Sequence, residues 1–134
     1  EKDKFLILDL LTWMHQNKVD YTNTFCHLMN IKDQKNEKFK DKDFQNWEKR
    51  WLDRLKINNN TPEKYLRLMR TVNPLIIPRN HKVEESLKEA NQNNFKPLND
   101  LIKVLKKPYN NQNEIQEYQY PKNSKEKYQT FCGT

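Results

Sequence analysis

Apolar positions open this chain as a cluster: Phe5, Leu6, Ile7, Leu8, Leu10, Leu11, Trp13 and Met14 occupy nearly every side of a helix. An ordinary surface helix keeps one apolar stripe and a polar opposite face, so a helix apolar on most sides has to be covered on more than one of them. Asp20 reads as the N-cap of a second helix carrying Tyr21, Phe25, Leu28 and Met29, its carboxylate accepting amides that a helix start leaves unpaired. The two predict a helical hairpin. Residues 31–42 are polar and lysine-rich and read as a solvated loop. Phe44, Trp47, Trp51, Leu52 and Leu55 then recur at steps that keep them on one helix face, and the asparagine run at 58–60 ends that helix.

Thr61-Pro62 opens the next helix with a cap residue and a proline whose missing N–H costs nothing in the first turn. Leu66, Met69 and Val72 are expected to face inward along it, and Asn73-Pro74 stops it, because the residue before proline is pushed out of helical geometry. Leu75-Ile76-Ile77-Pro78 is a short apolar connector. Asn80 is expected to cap a helix with Val83, Leu87 and Ala90 on one face. The last regular helix starts near Pro97, buries Leu98, Leu101, Ile102 and Leu105, and ends at Pro108. From Tyr109 onward Ile115, Tyr118, Tyr120, Tyr128 and Phe131 are scattered without a period among Asn, Gln and Lys, which predicts a tail that lies over the helices and docks by its aromatics. No period-2 run is long enough for a strand, and there is no internal repeat and no glycine-rich phosphate loop. The expected fold is therefore all-α: an irregular array of five or six helices over residues 1–108, followed by an extended tail over 109–134.

Composition changes this picture in a few respects. At 134 residues the chain has the length of one ordinary domain, and its 34% hydrophobic share against 32% charged predicts a thin core anchored by three Trp, six Phe and six Tyr. With one glycine in the chain, helix ends have to rely on asparagine and proline. Twenty-five Lys and Arg against 18 Asp and Glu give a net charge of +7, which permits binding to an anionic partner such as nucleic acid. The lysines alternate with acids and asparagines, as at 35–42, where a nucleic-acid module segregates them to one face. Residues 5–14 fall well short of the roughly 20 needed to span a membrane, and no signal-peptide cleavage site follows. Two cysteines, Cys26 and Cys132, are too few for a secreted disulfide scaffold and lack zinc-site spacing, so the expected compartment is a reducing one, the cytoplasm. The chain begins at Glu1 with helical pattern almost at once, which gives the expectation that it starts inside a longer protein.

Few side chains are candidates for chemistry. His15, His27 and His81 are scattered, and Cys26 and His27 are adjacent on a helix, where successive side chains point about 100° apart and form no dyad. Cys26 lies in an apolar helix and reads as a small buried filler. Glu84-Glu85 and Asp41/Asp43 stand among lysines and read as solvated faces, and the Trp47/Trp51 pair reads as core before it reads as a stacking platform. Cys132 is the candidate redox residue: it stands third from the end beside Gly133, with Lys125 and Lys127 the nearby groups able to favour its thiolate.

Several strings in order resemble the C-terminal part of one family: DYTNTF at 20–25, Met69 onward to NPLIIPRN at 73–80, Leu105 onward to Pro108-Tyr109, and the closing YQTFCGT at 128–134. They are similar to the selenoprotein O (SelO) family over essentially the whole chain. The resemblance implies a parent with a protein-kinase-like fold that transfers AMP from ATP to hydroxyl side chains of protein substrates, with Mg or Mn. Family members carry selenocysteine or cysteine at the place of Cys132, which implies a redox-sensitive bond to a cysteine upstream; Cys26 is not a position associated with that bond. The family's nucleotide-, metal- and catalytic residues belong to upstream segments, so no catalytic, cofactor-binding or metal residue is assigned in this chain. The expectation is a non-catalytic helical fragment that packs against and braces the kinase-like part and presents Cys132. The alternative is a stand-alone basic helical module that binds nucleic acid, and a third reading is a thiol redox protein acting alone.

Overall fold

A computed structural model describes residues 2–30, 36–57, 61–111 and 115–122. It is all-α, with no strand among the described residues. The chain divides into two units, Glu1–Asn73 and Pro74–Thr134. The first holds α1 (Lys2–Gln16), α2 (Tyr21–Leu28), a 3-10 turn (Glu37–Lys40), α3 (Lys42–Ile57) and α4 (Pro62–Val72). The second holds α5 (Asn80–Ala90), α6 (Lys96–Leu105) and the single turn α7 (Gln116–Gln119).

In the first unit both expected helices form, but α1 packs chiefly along α3 and not with α2 as a paired hairpin. Asp20 caps α2, its Oδ1 accepting the Asn23 amide at 2.9 Å while its carbonyl takes the Thr24 hydroxyl at 2.8 Å. The α1 end needs a left-handed residue, and in place of glycine it uses Lys18 at φ 50°. The Val19 amide reaches back to the Met14 carbonyl at 2.9 Å to close that end. Lys38 Nζ donates to the carbonyls of Asn17 and Lys18 at 2.6 and 3.2 Å, so a cation answers the exposed carbonyls of the helix terminus. Asn30 and Asn93 take the same left-handed geometry after α2 and α5, at φ 60° and 64°, as a glycine-poor chain requires.

The core of this unit is aromatic. Leu10, Trp13, Met14, Leu28, Phe39, Phe44 and Trp47 are buried together, and Leu6, Val19, Phe25, Trp51 and Met69 pack on them. Two expectations are corrected here. The segment 31–42 is not wholly a solvated loop: its described part contains the 3-10 turn, and Phe39 from that turn is buried, 6.0 Å from the Trp13 ring, 5.0 Å from Phe44 and stacked on His27 at 4.0 Å. A lone aromatic in a lysine-rich run leaves no periodic signal, yet burying its ring is favourable by about 1.5–3 kcal/mol. Asp41 is likewise no mere surface acid. Its Oδ2 accepts Trp13 Nε1 at 2.7 Å and the Phe44 amide at 3.2 Å, so it satisfies the indole of the core and the start of α3 together.

The Trp13 hydrogen bond, with help from backbone amides at 42–44, holds the Asp41 carboxyl below the ordinary aspartate value. A depressed folded value stabilises the fold at pH above about 3.9, and that contribution is lost as pH falls through the folded value. Asp41→Asn is therefore expected to melt lower than the parent at neutral pH, with the difference shrinking under acid. Thermal midpoints from about pH 7 to about pH 2 check this; a gap that stays constant with pH contradicts it.

In the second unit α5 packs along α6. Leu75, Ile76, Ser86, Leu101, Val104 and Ile115 are buried, whereas Leu87 and Ile102, expected inside, are exposed. Val72 of α4 in the first unit, also expected inside, is exposed too. Apolar spacing marks a face but does not say which edge of it meets a neighbour, and the buried Ser86 satisfies its hydroxyl by donating to the Lys82 carbonyl at 2.7 Å. Arg79 takes the N-cap position expected of Asn80, without a side-chain cap bond. The Leu75 amide donates to the Pro108 carbonyl at 2.7 Å, and Gln119 Nε2 donates to the Leu75 carbonyl at 3.4 Å.

The described part of the expected tail, to Lys122, is fastened to this unit by more than aromatics. Ile115 is buried, Arg79 donates to the Gln119 carbonyl at 2.8 Å, and Lys82 pairs with Glu117 at 2.5 Å and lies 5.6 Å from the Tyr118 ring. Glu117 raises the Lys82 ammonium above its usual range, while burial raises the Tyr118 phenol. Burial, with the cations Lys82 and Arg79 nearby, lowers His81.

Candidate docking surface

One feature of the first unit not explained by its own core is an apolar groove of about 410 Å³. Its walls come from α1 (Leu6, Ile7, Leu10, Leu11) and α4 (Lys64, Tyr65, Leu68, Met69), and its floor from Phe25 and Leu28 of α2 and Trp47, Trp51 and Leu55 of α3. The local reason is the two-sided character of α1. Leu6, Leu10, Trp13 and Met14 pack on the core, which leaves Ile7 and Leu11 on the adjoining flank and Phe5 and Leu8 farther round, all four exposed.

The walls are held stiffly. Trp47 Nε1 donates to the Leu6 carbonyl at 2.7 Å, fixing α3 against α1. Arg50 pairs with Asp9 at 2.7 Å, and Arg54 grips Asp3 with Nε and Nη2 at 2.6 and 2.9 Å. The Arg54 hydrogen bond lowers the Asp3 carboxyl, and Asp3 in turn raises the guanidinium. These ion pairs are exposed and individually weak, so they orient α1 more than they stabilise it. On the other side Trp51 stacks on Trp47 at 5.9 Å and meets Tyr65 edge-on at 5.5 Å, which ties α4 to α3. The Trp47/Trp51 pair is core, as its spacing implied, and it also floors the groove. The sequence pattern marks the apolar excess of α1 but not Tyr65 and Leu68 as groove residues, because the apolar spacing of α4 points to Leu66, Met69 and Val72 as its inward side chains.

The groove chemistry is one-sided. Lys64 is the charged residue on its lining, so it offers no cradle for phosphate and no acid–base pair. Elsewhere the basic side chains are dispersed among acids, as in Lys40–Glu37, Lys56–Asp53 and Lys96–Asp100. Of the other candidates, Cys26 is buried as a filler, His15 is exposed, and His27 is half-buried on Phe39. Glu84 and Glu85 are on a solvated face. No three His, Cys, Asp or Glu among the described residues are grouped so as to hold a metal ion, and no described helix is long and apolar enough to cross a membrane. Cys132, with Lys125 and Lys127, lies outside the described residues.

Comparison with known proteins assigns this sequence to a family. The family model described as Protein adenylyltransferase SelO matches residues 1–106. The chain belongs to the SelO family. A Pelagibacter ubique relative named Protein nucleotidyltransferase YdiU is 47% identical, over 100% of this chain and 28% of its own length. Relatives of the same name from Syntrophotalea carbinolica and Alcanivorax borkumensis are 43% and 42% identical, over 100% and 99% of this chain and again 28% of their own lengths. The chain thus spans little more than a quarter of the curated SelO relatives it matches. The SelO match does not support a stand-alone nucleic-acid module.

Proposed function

We propose that this chain is the helical C-terminal part of a SelO-type protein nucleotidyltransferase, which braces the kinase-like part of its own polypeptide and leaves the nucleotide chemistry to that part. The observation that carries the reading is the coverage: relatives named for nucleotide transfer match the chain from end to end, yet it spans 28% of them. In this reading ATP, Mg or Mn and the protein substrates engage the upstream part, in the cytoplasm. An apolar groove with stiff walls suits bracing, because its free energy is released when a neighbouring surface covers it.

The test is AMP transfer to a mixed protein substrate from labelled ATP with Mg or Mn. The isolated chain is expected to give no labelled product, and the full-length polypeptide to give one; labelling by the isolated chain overturns the reading.

Cys132 is proposed as the redox-responsive thiol of the full-length protein, at the place where the family carries cysteine or selenocysteine. In oxidised full-length protein it is expected to alkylate only after reduction, as read by peptide mass spectrometry. Equal alkylation before and after reduction contradicts the role.

A further inference from the structure

We infer that the groove between α1 and α4 is the seat of an apolar segment from the part of the polypeptide that SelO relatives carry beyond this chain's span. The inference rests on the bracing reading and gives it an address. Exposed apolar residues scattered singly are ordinary, but here four of them rim one concavity: Ile7 at 60% exposure, Leu11 at 41%, Tyr21 at 59% and Leu68 at 65%.

The occupant follows from chemistry and from length. The lining is predominantly apolar, with Lys64, Asn73 and the hydroxyls of Tyr21 and Tyr65 as polar groups, so it favours an aliphatic or aromatic side chain. Burial of Leu10, Trp13 and Met14 in the core and the Trp47 hydrogen bond hold α1 in place, with the two arginine pairs orienting it, so the exposed flank does not close by turning inward. The matched relatives are more than three times as long as this chain, and that additional polypeptide is covalently present at high effective concentration wherever the full-length protein exists. A second copy or a free apolar molecule has no such advantage.

A photo-crosslinking amino acid placed at Leu11 or at Leu68 of the full-length protein tests this, with Lys88 as an exposed control on α5. Both rim positions are exposed, so the bulky side chain leaves the fold intact, which thermal midpoints of each variant confirm. The expected result is intramolecular crosslinks from both rim positions to apolar peptides outside residues 1–134, and none from Lys88. Crosslinks only between two copies, crosslinks only to residues 123–134, or no protein crosslink from either position each overturn the assignment. A hydrophobic dye that binds the groove of the full-length protein as strongly as that of the isolated chain also overturns it. AMP transfer by the same full-length variants reports on the bracing reading separately: retained transfer without upstream crosslinks removes the address and leaves the division of labour standing.

Discussion

Phe44→Ala is expected to cost about 3–5 kcal/mol, the range for truncating a buried aromatic side chain. Phe44 is 0% exposed, and its ring lies 4.6 Å from Trp13, 5.0 Å from Phe39, 5.5 Å from His27 and 5.9 Å from Trp47. It is the point where α1, α2, the 3-10 turn and α3 meet, so its removal leaves a cavity with rigid aromatic walls that collapse poorly. For a domain of this size the thermal midpoint falls by more than about 12 °C, measured by helical circular dichroism. Ile57→Ala, at a position 74% exposed, is the control and stays within about 0.5 kcal/mol of the parent. A Phe44→Ala midpoint no lower than that of the control refutes the placement of Phe44 at the centre of the core.

Ile76→Ala is the second large effect, expected at about 2–5 kcal/mol, with Ile76→Val at about 0.5–1.5 kcal/mol. Ile76 is 1% exposed and sits in the string NPLIIPRN, which was among the strings that carried the family resemblance. Its neighbours explain why that string is built as it is. Leu75 is buried and its amide and carbonyl both engage distant backbone or side-chain groups at Pro108 and Gln119, while Arg79 holds the Gln119 carbonyl. The string is thus a structural clasp of the second unit. Urea midpoints check this: a graded loss from Val to Ala marks a packing role, whereas wild-type stability in both variants shows that the string does not carry the core of this unit.

Much of the fold was legible because it rests on local rules. The 3.6-residue apolar period, the Asp20 cap, the Thr61-Pro62 start and the Asn73-Pro74 stop are each enforced by a few neighbouring residues, and the structure realises them. The corrections fall where one side chain answers to a residue far along the chain. Phe39 and Asp41 looked like solvent-facing parts of a polar run, and Trp13, 28 residues before Asp41, recruits both. Leu87 and Ile102 satisfied the helical period, yet Ser86 and Val104 are the buried residues, because burial is set by how α5 and α6 pack and not by period alone.

The candidate site divides along the same line. Sequence alone determined that α1 carries more apolar surface than one face can bury, that the chain is helical, and that its strings resemble the SelO family. The first two follow from composition and spacing within single segments, and the third is a resemblance carried by matched strings. Only the tertiary structure decided which apolar residues of α1 the core takes and which it leaves exposed, and that Leu68 of α4 lines one groove with them and with the stacked Trp47 and Trp51. A groove is a relation between helices distant in sequence, set by how their side chains interlock, and no local pattern encodes it.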